Sequence, residues 1–435
     1  MSELASWVAS DSPSWRRRRI RTLGRTASGS GFPPALQGEV DLDLPFYKVK
    51  HLGQASPDGV LGNADDTISY ETAESLGATI FPAGTLVYAK VGAALMLGRV
   101  RVLPVDACID NNMAGLIPSK ESEPRFLYWA MSQVKFDYLV NPGAVPSLSD
   151  RNLLDFPLLV PSRDEQRAIA NYLDRETARI DTLIEEQLRF IEILDKRRNA
   201  VITEATTKGV SPRRALVESG TGPLWDALPI GWLSGQIKNV ATVTLGKMLQ
   251  SKDSGGDVRA PYMRAANVQP DGVLALDDVN EMWFSEVELE QLNIRAGDVV
   301  VVEGGQGGFG RAAYVDEDLP GWGFQNSINR LRPLGEFEGR FIAFYLIALR
   351  ASGFIRAYSN VVSMPHLTAE KLARIPIPLP PVEEQRAIAD YLDRETARID
   401  TLIDETERFI ELARERRAAL IMAAVTGQID VGEMV

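Results

Sequence analysis

Two stretches of this sequence carry polar side chains of the kinds that read nucleic acid. Lysine and arginine donate to guanine, asparagine and glutamine pair with adenine, and hydroxyl or backbone groups hold phosphate. In residues 1–160 the candidates are Lys48, Lys50, Lys90, Arg99, Asn111 and Asn112. In residues 216–380 they are Arg264, Asn267, Gln306, Arg311, Gln325, Asn326, Asn329 and His366. Each residue type also serves on an ordinary surface, so the reading rests on the set recurring in both stretches. Arg16–Arg19 adds four consecutive arginines suited to phosphate, with a solvated basic arm as the plain alternative.

Catalytic chemistry finds less support. Gly305–Gly310 fits GxGxxG after a strand-like run, but a dinucleotide site also needs a helix directly afterwards and an acid further on. Arg311–Val315 reads as another strand, so a glycine-rich hairpin turn is expected instead. The same stretch lacks the Lys-Ser/Thr of a phosphate-binding loop. Asp298 and Glu303 suggest a nuclease metal pair, yet no lysine follows in E-x-K spacing, and the first stretch has Thr85 and Lys90 there. Asn141-Pro142-Gly143 is not the Asn-Pro-Pro-aromatic run of adenine methyltransferases. His51 and His366 are the only histidines, and Cys108 the only cysteine, so neither a disulfide nor a Cys/His zinc site is expected. Cys108 reads as a small buried apolar residue in a cytoplasmic protein.

The 435 residues are enough for two to four domains. Apolar runs are strand-length, far short of the ~20 residues that span a membrane. The net charge of −12 argues against binding nucleic acid by charge alone. The acid concentrates late in the chain: residues 376–435 hold seven Lys/Arg against thirteen Asp/Glu, a poor surface for DNA and a better one for protein.

What positions the candidates is a tandem repeat. EQRAIANYLDRETARIDTLIEE (165–186) returns as EQRAIADYLDRETARIDTLIDE (384–405), identical at 20 of 22 positions. Weaker echoes pair Trp15 and Ile20 with Trp232 and Ile237, Pro45–Lys48 with Pro261–Arg264, and Asp58–Leu61 with Asp271–Leu274. The layout is variable domain, strict segment, variable domain, strict segment. Strict segments meet an unchanging partner or each other, whereas variable domains meet something that differs. Prolines precede both strict segments, and no glycine or proline interrupts 164–207, so each predicts a helix of about 40 residues, ~60 Å long. Its apolar stripe comprises Ile169, Leu173, Ile180, Leu183, Ile184 and Phe190 in the first copy. The second has Ile388, Leu392, Ile399, Leu402, Ile403 and Phe409. That stripe needs cover, and the other copy, antiparallel, is the natural source, so these residues are expected at the helix pair and at an interface with partner subunits. A generic dimerisation arm is the bland alternative. Within the variable domains, Pro124–Val134 and Arg340–Arg350 predict amphipathic helices whose aromatics face a core.

PIPLPPVEEQRAIADYLDRETARIDTLI (376–403), RRAALIMAAVTGQIDV (416–431) and SMPHLTAEKLARIPIPLPP (363–381) make the chain resemble the specificity subunits of type I restriction-modification systems. The resemblance spans nearly the whole chain; the first copy departs from it in Val160–Arg163, Thr207–Gly209 and the arginine run. It implies an α+β fold. Target-recognition domains at 1–160 and 216–380 would be separated by conserved helices at 161–215 and 381–430, packed as an antiparallel coiled coil with pseudo-twofold symmetry. It implies a non-catalytic, cytoplasmic chain in phage defence, reading a split target in double-stranded DNA, with the helices setting the spacer. Two modification subunits would bring S-adenosylmethionine and adenine-N6 methylation, and restriction subunits ATP, Mg and cleavage; no cofactor or metal is expected in this chain and no membrane. Two alternatives stand beside it: a recognition subunit of a related methyltransferase or fused-type system without a translocase, and a coiled-coil scaffold with two protein-binding domains.

Overall fold

Each strict segment is one long helix. The computed structural model describes residues 15–141, 143–211, 215–218, 222–305, 308–359 and 366–431. The first helix, α1, runs Arg163–Lys208 and the second, α2, Val382–Val425. Pro161 and Pro381 stand just before them, and in the first the Ser162 hydroxyl accepts the Glu165 amide at 3.3 Å, one half of a capping box. Gly209 (φ 78°) closes α1 and Gly427 (φ 73°) follows α2, the left-handed positions at which glycine ends a helix without strain.

The chain divides into two compact units, residues 1–188 with 406–435, and 189–405. Each unit therefore holds one variable domain, the start of the helix that follows it and the end of the other helix. Within each unit the two helix segments run antiparallel. In the first, Arg417 bonds Asp181 at 2.8 Å, and Ile421, Ala424 and Val425 share a core with Ile169, Ala170 and Leu173. In the second, Arg198 bonds Asp400, while Ile202 and Ala205 share a core with Ile388 and Leu392.

Both variable domains have one topology. In the first unit a four-stranded sheet orders Gly24–Ser28, Met113–Pro118, Leu86–Ala89 and Val100–Val102, all antiparallel. In the second the order is Ala241–Leu245, Ile328–Pro333, Val299–Val302 and Ala312–Tyr314. The central strands read Leu-Val-Tyr-Ala and four valines, and both are buried throughout, as β-branched and aromatic runs favour. A smaller three-stranded sheet accompanies each, built on Leu44–Tyr47 and on Val258–Met263. The predicted amphipathic helices appear as Pro124–Ser132 and Gly339–Ala351, with Phe126, Trp129, Phe341 and Tyr345 in the cores. Cys108 is fully buried, and burial pushes its thiol up to about 11.

Each domain is seated on its helix by the same polar contacts. Trp15 donates to Glu165 at 2.7 Å, and Trp232 to Glu384 at 3.0 Å. The Gln166 side chain accepts the Glu123 amide and donates to the Pro161 carbonyl; Gln385 does the same with Glu338 and Pro380. Arg125 clasps Asp174, and Arg340 bridges Asp390 and Asp393. The strictness of the helical repeat at Glu165, Gln166 and Asp174 thus has a local cause, since these residues and their second-copy counterparts serve a helix and a domain at once.

The predicted stripe is only partly covered. Ile169, Leu173, Ile388, Leu392 and Ile399 are buried, and Ile180, Leu183, Ile184 and Ile403 are half-buried. Phe190, Leu402 and Phe409 do not join a helix seam: they are exposed, as are Leu188, Ile193 and Leu412. The stripe is wider than one seam, and a neighbouring helix covers a single side of it.

Candidate nucleic-acid interface

Loops from several elements converge at one end of each four-stranded sheet. In the first unit this is the end where Ser28 pairs with Ala114 and Ala89 with Met113. The Lys90 amide donates to the Asn112 carbonyl at 2.9 Å, and the Leu148 amide to the Lys90 carbonyl at 2.8 Å. Bridges join Ser30 to Asp110 and Val91 to Ser147. Gly29 is needed there, because a Cβ would lie 2.0 Å from the Asp110 carbonyl oxygen. The Lys90 ammonium donates to the Ser28 hydroxyl at 3.1 Å, and Asn111 and Asn112 are exposed beside it. Three of the six candidates of this domain are therefore brought to one loop cluster.

The second unit repeats the cluster with other side chains. The Glu303 amide donates to the Ser327 carbonyl at 2.8 Å, and the Leu367 amide to the Glu303 carbonyl at 2.7 Å. Bridges join Lys247 to Gln325 and Gly304 to His366. Gly246 repeats the role of Gly29, with a Cβ position 2.2 Å from the Gln325 carbonyl oxygen. Gln325 and Asn326 are half-buried, and His366 keeps half its side chain exposed. Gln306 lies outside the described residues.

The other candidates sit elsewhere. Lys48 bonds Asp66 at 2.7 Å and lies over the Phe32 ring, and Lys50 pairs with Asp65. Lys50 holds the Asp65 carboxyl below the usual carboxylate range, so both lysines are already engaged. Arg99 is exposed, with no ion pair or hydrogen bond among the described residues. Arg264 pairs with Asp278 at 2.5 Å, and half-buried Arg311 donates to the Val268 carbonyl. Two expectations are corrected. Asn267 is buried, its Oδ1 accepting the Arg264 amide and its Nδ2 donating to the Ala275 and Asp278 carbonyls, so it holds its own loop. Asn329 is fully buried and donates to the Leu367 carbonyl, fastening the cluster from beneath. Their polarity looked like readout in the sequence; their burial makes them internal braces.

Sequence reasoning passed over Lys247, Ser28, Ser30 and Ser147, which the loops bring to the clusters. The alignment of Lys90 with Glu303 was legible, but only as an argument against a metal pair. Among the described residues no group of three or more His, Cys, Asp or Glu side chains is arranged to hold a metal, and no helix is long and apolar enough to cross a membrane.

The arginine run forms a second basic feature. Arg16–Arg19 is a strand paired antiparallel with Pro157–Val160. Arg18 meets Glu121, and Arg19 and Arg21 share Asp155; Arg16 and Arg17 are exposed without such a partner among the described residues. The matching strand of the second unit, Leu233–Gln236 on Pro376–Leu379, carries no charge.

Comparison with known proteins follows the same duplicated layout. Residues 24–192 and 229–411 match the family described as type I restriction modification DNA specificity domain. The MjaVIII specificity subunit of Methanocaldococcus jannaschii, a type I restriction enzyme component, is 24% identical over 309 residues. That match covers 66% of this chain and 65% of the relative, just under two thirds of its length. A chain solved in work on complex assembly and conformational transition of the type I R-M system superposes with a TM-score of 0.72 at 15% identity, covering 96% of this chain and 99% of that one. The HsdS subunit from Thermoanaerobacter tengcongensis gives 0.57 at 16% identity, covering 96% and 98%. At these identities the two structures speak to the fold.

Proposed function

This chain belongs to the type I restriction-modification specificity family, and from that we propose that each of its variable domains reads one half of a bipartite duplex target. The observation that carries this is the duplicated loop cluster. One sheet and one set of backbone bonds present Lys90, Asn111 and Asn112 in the first domain and Glu303, Gln325, Asn326 and His366 in the second. A common frame with different polar groups suits two different half-sites read through base edges.

The long helices would set the spacer and dock modification subunits. In support, Phe190 and Phe409, and Ile193 and Leu412, are exposed apolar residues at matched positions of the two helices. Exposed apolar side chains recurring in register on a helix suit a protein partner. S-adenosylmethionine, and ATP with Mg where a restriction subunit is present, are assigned to the partner chains.

Co-expression with the cognate modification subunit, followed by mapping of methylated adenines in host DNA, tests the reading. A split, asymmetric motif that requires both proteins is expected. A stable complex with no motif would point instead to the scaffold alternative.

The arginine strand gives a second prediction. Arg16→Ser combined with Arg17→Ser should weaken DNA binding by the assembled complex about equally for all sequences. The slope of log affinity against log salt should become shallower by roughly one to two, about 0.9 per lost phosphate contact. An unchanged slope would show that these arginines do not meet phosphate.

A further inference from the structure

We propose that the residue closing the third strand of each sheet, Lys90 in the first domain and Glu303 in the second, is a base-reading position. At this position Glu303 accepts a hydrogen bond from an exocyclic amino group in the major groove, cytosine N4 or adenine N6. The proposal rests on the DNA reading above and adds the residue and the base chemistry.

The two positions are equivalent in their backbones. Each residue directly follows its strand, Leu86–Ala89 or Val299–Val302. Each donates its amide into the neighbouring loop, to Asn112 or Ser327, and accepts the amide of Leu148 or Leu367 on its carbonyl. Each is followed by a bridge, Val91 to Ser147 or Gly304 to His366. The same frame thus aims opposite charges from the same place.

Their surroundings suit opposite halves of the base code. Among the described residues the Lys90 ammonium has no carboxylate partner, and its one hydrogen bond is to the Ser28 hydroxyl. An ammonium there matches acceptors, guanine O6 and N7 above all. The Glu303 side chain is only 16% exposed, and the His366 imidazole stands beside it with Nδ1 3.9 Å from Oε1, beyond hydrogen-bond reach. Burial pushes the carboxyl above its usual range. No side-chain hydrogen bond from the described residues reaches its carboxylate, and once a ligand covers the exposed edge an unmet acceptor there would be costly. A donor brought by the ligand resolves this, and the amino groups of cytosine and adenine are the major-groove donors.

The competing explanation of Glu303, a metal pair with Asp298, fails on geometry. The two acids flank the strand, roughly 16 Å apart at its ordinary rise. Asp298 is also held by Arg332 at 2.7 Å.

The test uses the full chain assembled with its modification subunit, selected against a randomised duplex pool. Wild type, Glu303→Gln and Glu303→Lys are compared. A wild-type complex that selects no split motif would defeat the DNA reading itself. Given a split motif, Glu303→Lys is expected to change one position of one half-site, from cytosine or adenine to a base offering acceptors. The original base should lose roughly ten- to hundredfold in preference. Glu303→Gln should relax the same position, and the other half-site should stay intact, which also reports that the complex is folded. The selected base distinguishes cytosine from adenine. Unchanged preference at every position overturns the proposal, as does a uniform loss of binding or a change confined to the half-site that Lys90→Ala alters.

Discussion

Arg332→Ile is expected to destabilise the second unit by about 3–5 kcal/mol, and adding Asp298→Thr is expected to restore most of the loss. Asp298 is almost fully buried, and Arg332 grips both its carboxylate oxygens at 2.7 and 2.8 Å. The Arg295 amide adds a third hydrogen bond at 2.9 Å. Removing the arginine leaves a buried carboxylate without its counter-charge, which is the expensive way to break such a pair. The first domain shows the cheaper solution at the same place. Thr85 occupies the Asp298 position, with the same backbone bond three residues back, and Ile117 the Arg332 position. Transplanting both residues removes both charges together, and apolar replacements of a whole buried pair are often neutral. At ~2–4 °C per kcal/mol for a unit of this size, the single variant should melt ~10 °C lower. A thermal melt of the full chain reads this. If the double variant melts as low as the single one, charge compensation is not what the pair provides.

Lengthening the helices should alter the DNA target without touching its half-sites. Four residues add ~6 Å and rotate the chain ~40° past a full turn. That matches about two base pairs at 3.4 Å each. Placing them after Leu188 in α1 and after Glu407 in α2 preserves each unit's own bridge. Asp181 still meets Arg417 in one, and Arg198 still meets Asp400 in the other. A methylation map of the variant should show both original half-sites with a longer gap between them. Changed bases in either half-site would contradict the division of labour between helices and domains.

Much of this molecule was legible in its sequence, for reasons that differ from part to part. The helices were plain because proline, glycine and apolar spacing are local signals, and the structure bounds them at Arg163–Lys208 and Val382–Val425. The stripe divides in its middle, and spacing alone does not say which side of a helix has a neighbouring helix; Phe190, Leu402 and Phe409 are exposed. The loop clusters were half legible. Lys90, Asn111, Asn112, Gln325, Asn326 and His366 do gather, but burial separates Asn267 and Asn329 from them, and burial is a property of packing that residue type does not reveal. Nearby carboxylates likewise engaged Lys48 and Lys50, a pairing set by where Asp65 and Asp66 fall in space.

The interleaving of the two units has a consequence for how the chain is made. The first unit is not contiguous: residues 1–188 are completed by 406–435. Ile421, Ala424 and Val425 belong to the same core as Trp129 and Leu173, yet they are made only after the whole of the second unit. At ~5–20 residues per second, the intervening stretch takes about 10–45 seconds to synthesise. Throughout that interval the first domain has apolar surface waiting for its final helix. The second unit, contiguous from 189 to 405, has everything it needs earlier. Order of synthesis and order of completion are therefore reversed. A chain that stops at residue 405 fails in the domain that was made first.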